Sequence, residues 1–164
     1  MTSTSLQFSD LVKPECVFEN LKAGSRDEAL STMGRYLVDS GYCHASFPEA
    51  ILERERVHPS GLPMPGYKIA IPHTDADHVK HSVLLFARLK NPVQFYSMGS
   101  PDEQLPVQMI SMFALKEKQL IGDMLETLIT VYQHDEVLEA ILHATEGNEI
   151  YTILQDAVKT YGKR

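Results

Sequence analysis

The sequence predicts an α/β domain, a three-layer α/β/α sandwich in which a small mixed sheet is flanked by helices. Three observations predict it. Segments of helical periodicity come before, between and after short apolar runs. Two of those runs, "HSVLLFARL" and "LPVQMISMFAL", are nearly continuous, the pattern of strands covered on both faces. The junctions between segments are rich in glycine and proline, which punctuate rather than continue regular structure. Helices on both faces of one sheet satisfy all three. At 164 residues the chain fits one domain, 1–164, and is long enough to bury a core.

The elements follow in order. "ECVFENL", Glu15 to Leu21, reads as a short strand. Ser25, with Glu28 three residues on, makes a capping box. It opens a helix whose apolar stripe is Ala29, Leu30, Met33, Leu37 and Val38. "DSGY" closes that helix, with Gly41 in the position that favours a left-handed residue. "SFPE" predicts a second start: Ser46 as cap, Pro48 in the first turn and Glu49 completing the box. This helix runs through "EAILERER" and stops before Pro59. "PSGLPMPG" is a turn, "KIAI" a short strand, and the two long apolar runs are further strands. Helices are expected from about Gln119 to Gln133, from Asp135 to His143, and from Asn148. The last carries Ile150, Ile153, Leu154, Ala157, Val158 and Tyr161 along one side.

Composition narrows the function. Hydrophobic residues make 43% and charged residues 23%, ordinary for a globular domain in water. A formal net charge of −7 argues against nucleic acid, which needs a concentrated basic patch. No apolar run approaches the ~20 residues that span a bilayer. "MTSTSLQFSDLVKPE" has no basic region followed by an apolar one, so no signal peptide is expected. Cys16 and Cys43 make no disulfide framework and read as free thiols of a cytoplasmic protein.

The richest chemistry lies in "KIAIPHTDADHVKH", Lys68 to His81, with three histidines and two aspartates after an apolar run. His73, Asp77 and His78 fall close to the metal-binding loop of metallo-β-lactamase-like hydrolases. However, Asp75 stands where that loop has its second histidine, and only His134 and His143 remain downstream. A metal wants more converging nitrogen or thiolate ligands than this. His78 and His81 suit a solvated loop, and His44, His58, His134 and His143 read equally as surface histidines. A Cys43–His44 pair is disfavoured because adjacent side chains seldom face each other. His73 differs, since it follows Pro72 at the end of a strand. Proline stiffens the turn and holds the imidazole at one place. An imidazole of pKa about 6.5 is a nucleophile near neutrality and can accept a phosphoryl group without a metal-bound water.

"GYKIAIPHT" resembles the active-site segment of enzyme IIA of the bacterial sugar phosphotransferase system, fructose/mannitol superfamily (type 2). In that family the histidine of "AIPH" is phosphorylated. The resemblance runs over roughly residues 10 to 160. "AILERERVHPSGL" is similar to the family's upstream segment, with Arg54-Glu55 as its Arg-Glu pair and Ser60 where threonine is usual. Ala87-Arg88-Leu89 through Pro92, Val93 and Phe95, then Met98-Gly99, match a further stretch, and Asp123 to Leu142 match the closing helices. Two positions depart. Mannitol- and fructose-type members have a second histidine opening the helix after the last strand, where this chain has Gln119 or Ile121. Thr74 stands where many members have glycine. Both departures, and the spacing before "IAIPH", point towards the galactitol-type branch.

The resemblance implies that His73 takes a phosphoryl group from the phosphocarrier HPr and passes it to a cognate enzyme IIB for sugar uptake. It implies Arg54 as the cation on the phosphate, Ser60 as a hydrogen-bond donor, Asp75 as a holder of the imidazole tautomer, and Arg56 as a lesser candidate. No metal or organic cofactor is implied, and the membrane is met only through the enzyme IIC complex. A regulatory phospho-switch, its phosphorylation read by another protein, is the alternative.

Overall fold

A computed structural model describes residues 7–162; the first six residues of the stretch read above for a leader lie outside them. The strands are β1 (Val12–Leu21), β2 (Ile69–Ala70), β3 (Val83–Tyr96) and β4 (Gln104–Ala114). The helices are α1 (Arg26–Asp39), α2 (Phe47–Val57), α3 (Ile121–Tyr132), α4 (Asp135–His143) and α5 (Gly147–Tyr161). The sheet order is β1-β3-β4-β2. β1 runs parallel to β3 and β2 parallel to β4, while β3 and β4 pair antiparallel. The expected mixed sheet between two helical layers is what forms.

Alternation along β3 builds the layers. Leu84 and Phe86 pack with Leu128, Leu138, Ile150 and Leu154 of α3 to α5. Val83, Leu85 and Ala87 pack on the other face with Leu30, Met33, Leu37 and Ile51 of α1 and α2. A strand whose both faces are covered shows no polar alternation, which is why "VLLFA" is continuous. Across the first face, the buried Tyr132 hydroxyl donates to Ser111 Oγ at 2.8 Å and ties α3 to β4.

Local expectations met differing fates. Ser25 Oγ accepts from Glu28 N–H at 3.1 Å, but the Glu28 carboxylate reaches back to Gly24 N–H rather than to Ser25. Gly41, at φ 86°, closes α1 with Tyr42 N–H on Leu37 O and Gly41 N–H on Val38 O. Ser46 does not cap α2. Its backbone is already helical, and its hydroxyl is 2.8 Å from His78 Nδ1. The strand expected from Glu15 begins earlier, at Val12, and β3 continues past Leu89 to Tyr96. Its register with β4 shifts between Arg88 and Val93, so proline at position 92 is absorbed where the ladder is already broken. "KIAI" contributes only Ile69 and Ala70 to the sheet, because Pro72 has no N–H to extend the ladder.

Candidate active site

β2 and β4 run in the same direction, so their carboxyl ends open at one edge of the sheet. Pockets of such sheets form beyond those ends. The chain leaves β2 through Ile71 and Pro72, whose carbonyl accepts from Phe113 N–H of β4 at 3.3 Å. His73 follows, half-buried, with its ring stacked on Phe113 at 4.6 Å between centroids and 13° between planes. Its Nδ1 lies 3.0 Å from the Ile71 carbonyl oxygen. A carbonyl can only accept, so Nδ1 carries the proton and Nε2 is left with the free lone pair. Burial pushes the His73 pKa below the ordinary 6.5, opposed by the Ile71 bond and helped by the nearby charge of Arg54. The ring is therefore neutral at pH 7, with one nitrogen fixed and the other nucleophilic.

The wall facing His73 is made by the end of α2 and the turn after it. Segment 60–62 is laced between two strands: Gly61 N–H donates to Tyr96 O, Leu62 N–H to Ile69 O, and Ile71 N–H to Ser60 O. A Cβ on Gly61 would stand 2.6 Å from the Tyr96 carbonyl oxygen, so only glycine lets the turn approach this closely. The result is a cleft lined by Arg54, His58, Ser60 and His73, with Met98 and Leu125 at its sides. Val57, 69% exposed, stands at its rim.

Three of the four residues singled out by sequence, His73, Arg54 and Ser60, thus meet in one cleft, and Asp75 does not line it. Arg54 is exposed, and among the described residues no carboxylate lies within 4.0 Å of its guanidinium. Arg56 points elsewhere and pairs with Asp27 at 3.4 Å. Ser60 donates its one hydroxyl proton to Glu55 at 2.8 Å, and its N–H donates to the other carboxylate oxygen at 2.8 Å. Asp75 borders the far side of Arg54, with Glu53 and His78. The tautomer role expected of Asp75 belongs to the Ile71 carbonyl, because the imidazole turns towards its own strand.

Sequence reading named two further residues but gave them no role in the site. Glu55 is only 2% exposed, and burial raises its pKa despite both Ser60 bonds. It is the brace that holds the 58–61 turn. His58 stands on the cleft wall beside Arg54. Its place between Arg54 and Ser60, directly before a proline, was the available signal. For the metal reading, no three His, Cys, Asp or Glu side chains converge as ligands among the described residues. Cys43 is a buried free thiol, and burial pushes its pKa up to about 12.

The family described as "Phosphoenolpyruvate-dependent sugar phosphotransferase system, EIIA 2" matches residues 10–157. The chain belongs to that family. Enzymes IIA of this kind are phosphotransferases that carry phosphohistidine and hand the phosphoryl group to an enzyme IIB. The galactitol-specific EIIA component of Escherichia coli K12 is 28% identical over 129 residues, 77% of this chain and 85% of that one. A nitrogen regulatory protein of Bradyrhizobium diazoefficiens is 28% identical over 154 residues, covering 91% and 95%. The crystal structure of IIA mannitol from Escherichia coli superimposes with a TM-score of 0.70 at 25% identity, covering 87% and 97%. No described helix of this enzyme IIA is long and apolar enough to cross a membrane.

Proposed function

We propose that this enzyme IIA, one domain over residues 1–164, accepts a phosphoryl group from phospho-HPr on Nε2 of His73. It then passes the group to a cytoplasmic enzyme IIB that feeds sugar uptake, with a galactitol-like sugar the leading candidate. The observation that carries this reading is the pairing of a tautomer-locked, neutral His73 with Arg54, whose guanidinium meets no carboxylate among the described residues, in the same cleft. Transfer between two nitrogen nucleophiles asks the protein mainly to align donor, phosphorus and acceptor and to neutralise charge. A guanidinium offers a planar fork to phosphate oxygens. Ser60 and Glu55 support the wall rather than touch the phosphate. Val57, Met98 and Leu125 give the cleft an apolar rim against which a protein partner can dock. Contact with the membrane is indirect, through the enzyme IIC complex.

A regulatory phospho-switch is the second reading, favoured by the likeness to a nitrogen regulatory protein. Incubation with enzyme I, HPr and phosphoenolpyruvate, followed by intact mass, tests the common step. The chain should gain one phosphoryl group, acid-labile and base-stable, and His73→Ala should gain none. Full labelling of that variant overturns the assignment. Adding candidate enzymes IIB then separates transport, in which the label is drained, from signalling, in which it persists.

A further inference from the structure

We propose that His58 is a second phosphate-facing imidazole of this cleft, donating a hydrogen bond to the phosphoryl group as it enters and leaves His73. The inference rests on reading His73 as the acceptor. His58 is held by backbone on both sides. Its N–H donates to Arg54 O at 2.7 Å and closes α2. Pro59 follows and keeps it out of the helical region, at φ −127° and ψ 87°. His58 thereby lines the same cleft as Arg54 and His73, near enough for its charge to act on the His73 ring. Among the described residues its ring has no side-chain hydrogen bond or ion pair. The neighbouring imidazoles are committed, His73 to Ile71 O and His78 to Ser46 Oγ.

Charge balance gives the ring its task. A phosphoryl group brings about −1.5 to −2 near pH 7. Facing it from α2 are Arg54 and Glu55, and from the loop after β2 the neutral His73. Both Glu55 oxygens are taken by Ser60. Asp75, Glu53 and His78 border the other side of Arg54, and the Asp75 carboxylate still acts on the His73 ring through its charge, adding to the negative side of the balance. α3 and the β3–β4 turn offer only Leu125, Met98 and Pro101. One guanidinium does not balance the phosphate, and among the described residues lining the cleft His58 is the other group able to carry a positive charge besides His73 itself. The negative end of α2 also favours a cation there. Before the phosphoryl group arrives, burial and the charge of Arg54 disfavour protonation of His73 and keep its nucleophile free. During transfer, the Nε2 lone pair forms the new N–P bond as the N–P bond of the phosphohistidine donor breaks. The donor nitrogen keeps that bonding pair. His73 Nδ1 keeps its proton, and His58 lends an N–H to a non-bridging oxygen without giving the proton up.

Single-turnover transfer from phospho-HPr, followed from pH 6 to 8 for the parent, His58→Ala and His58→Gln, tests this. Donor effects on pH are common to all three. At pH 6.5 His58→Ala should be slower by roughly tenfold, the worth of one charge-assisted hydrogen bond. His58→Gln keeps a donor without the charge and should fall between. The parent's advantage over both should shrink as pH rises to 8. In the parent at pH 7, phosphorylation should move the His58 ring ¹⁵N resonances towards imidazolium. A ring turned away from the phosphate would show far less movement. Since His58 is exposed, melting temperatures should stay level. A His58→Ala profile within twofold of the parent's at every pH, or unmoved His58 resonances, overturns the inference. Intact mass separates the two readings: a parent that takes no phosphoryl on His73 sinks both, while a labelled parent with an indifferent His58 sinks only this one.

Discussion

On α2, the Arg56 guanidinium reaches Asp27 at 3.4 Å, while that of Arg54 opens on the cleft with His73. Two residues of helix turn a side chain by about 200°, so neighbours in sequence face different partners. Charge-assisted bonds to phosphate are worth about 1.5–3 kcal/mol. Arg54→Ala should therefore slow transfer from phospho-HPr by roughly one to two orders of magnitude. Arg54→Lys keeps the charge, loses the fork and should fall between. Arg56→Ala removes only an exposed pair, worth under about 1 kcal/mol in stability, and should leave transfer near the parent rate. Single-turnover rates with thermal melts as control decide it. A fast Arg54→Ala would move the phosphate to the backbone amides near Thr74 and Asp75.

At the scale of elements, the site depends on how the turn after α2 locks onto the sheet. Alanine at position 61 would press its Cβ on the Tyr96 carbonyl, which is backbone and cannot swing away. Overpacking of this kind costs about 1–3 kcal/mol. Gly61→Ala should lower the melting temperature by several degrees. It should also slow phosphorylation of His73, since Ser60 O holds Ile71 N–H and Ile71 O holds the imidazole. Unchanged melting and labelling would refute this coupling. The two helix starts give a contrast. Ser25→Ala removes a real cap and should cost about 1 kcal/mol, whereas Ser46→Ala, which uncaps nothing, should cost clearly less by chemical denaturation.

For the whole molecule, the half-buried His73 and the buried Glu55 pull stability in opposite directions with pH. Native His73 binds its proton less readily than an unfolded imidazole of 6.5. Below that value the unfolded chain takes up a proton the native one resists, so stability is lost as pH falls. Native Glu55 binds its proton more readily than an unfolded carboxyl of 4.5. Its contribution is full below 4.5 and is lost as pH rises through the higher folded value. His73→Gln removes the first effect only. Denaturation from pH 7.5 to 5 should show the variant gaining on the parent as pH falls. A constant difference between the two would mean that His73 titrates alike in native and unfolded chains.

The sequence by itself determined the layers and the place of the chemistry. Doubly apolar runs can only be central strands, the stripe on α5 can only face a core, and Pro72 stiffens the turn into His73 whatever surrounds it. Arg54 and Ser60 were legible through the segment's likeness to a family, not through periodicity. Capping was half legible, because Ser25 and Ser46 look alike until His78 arrives to take the second hydroxyl. Only the tertiary structure decided that the Ile71 carbonyl sets the tautomer, that Glu55 is a buried brace, that Arg56 is engaged by Asp27, and that His58 shares the cleft. Each depends on which groups meet across segments distant in sequence, or on which way a ring turns once packed. Local propensity and spacing carry no information about either; burial and hydrogen-bond partners do.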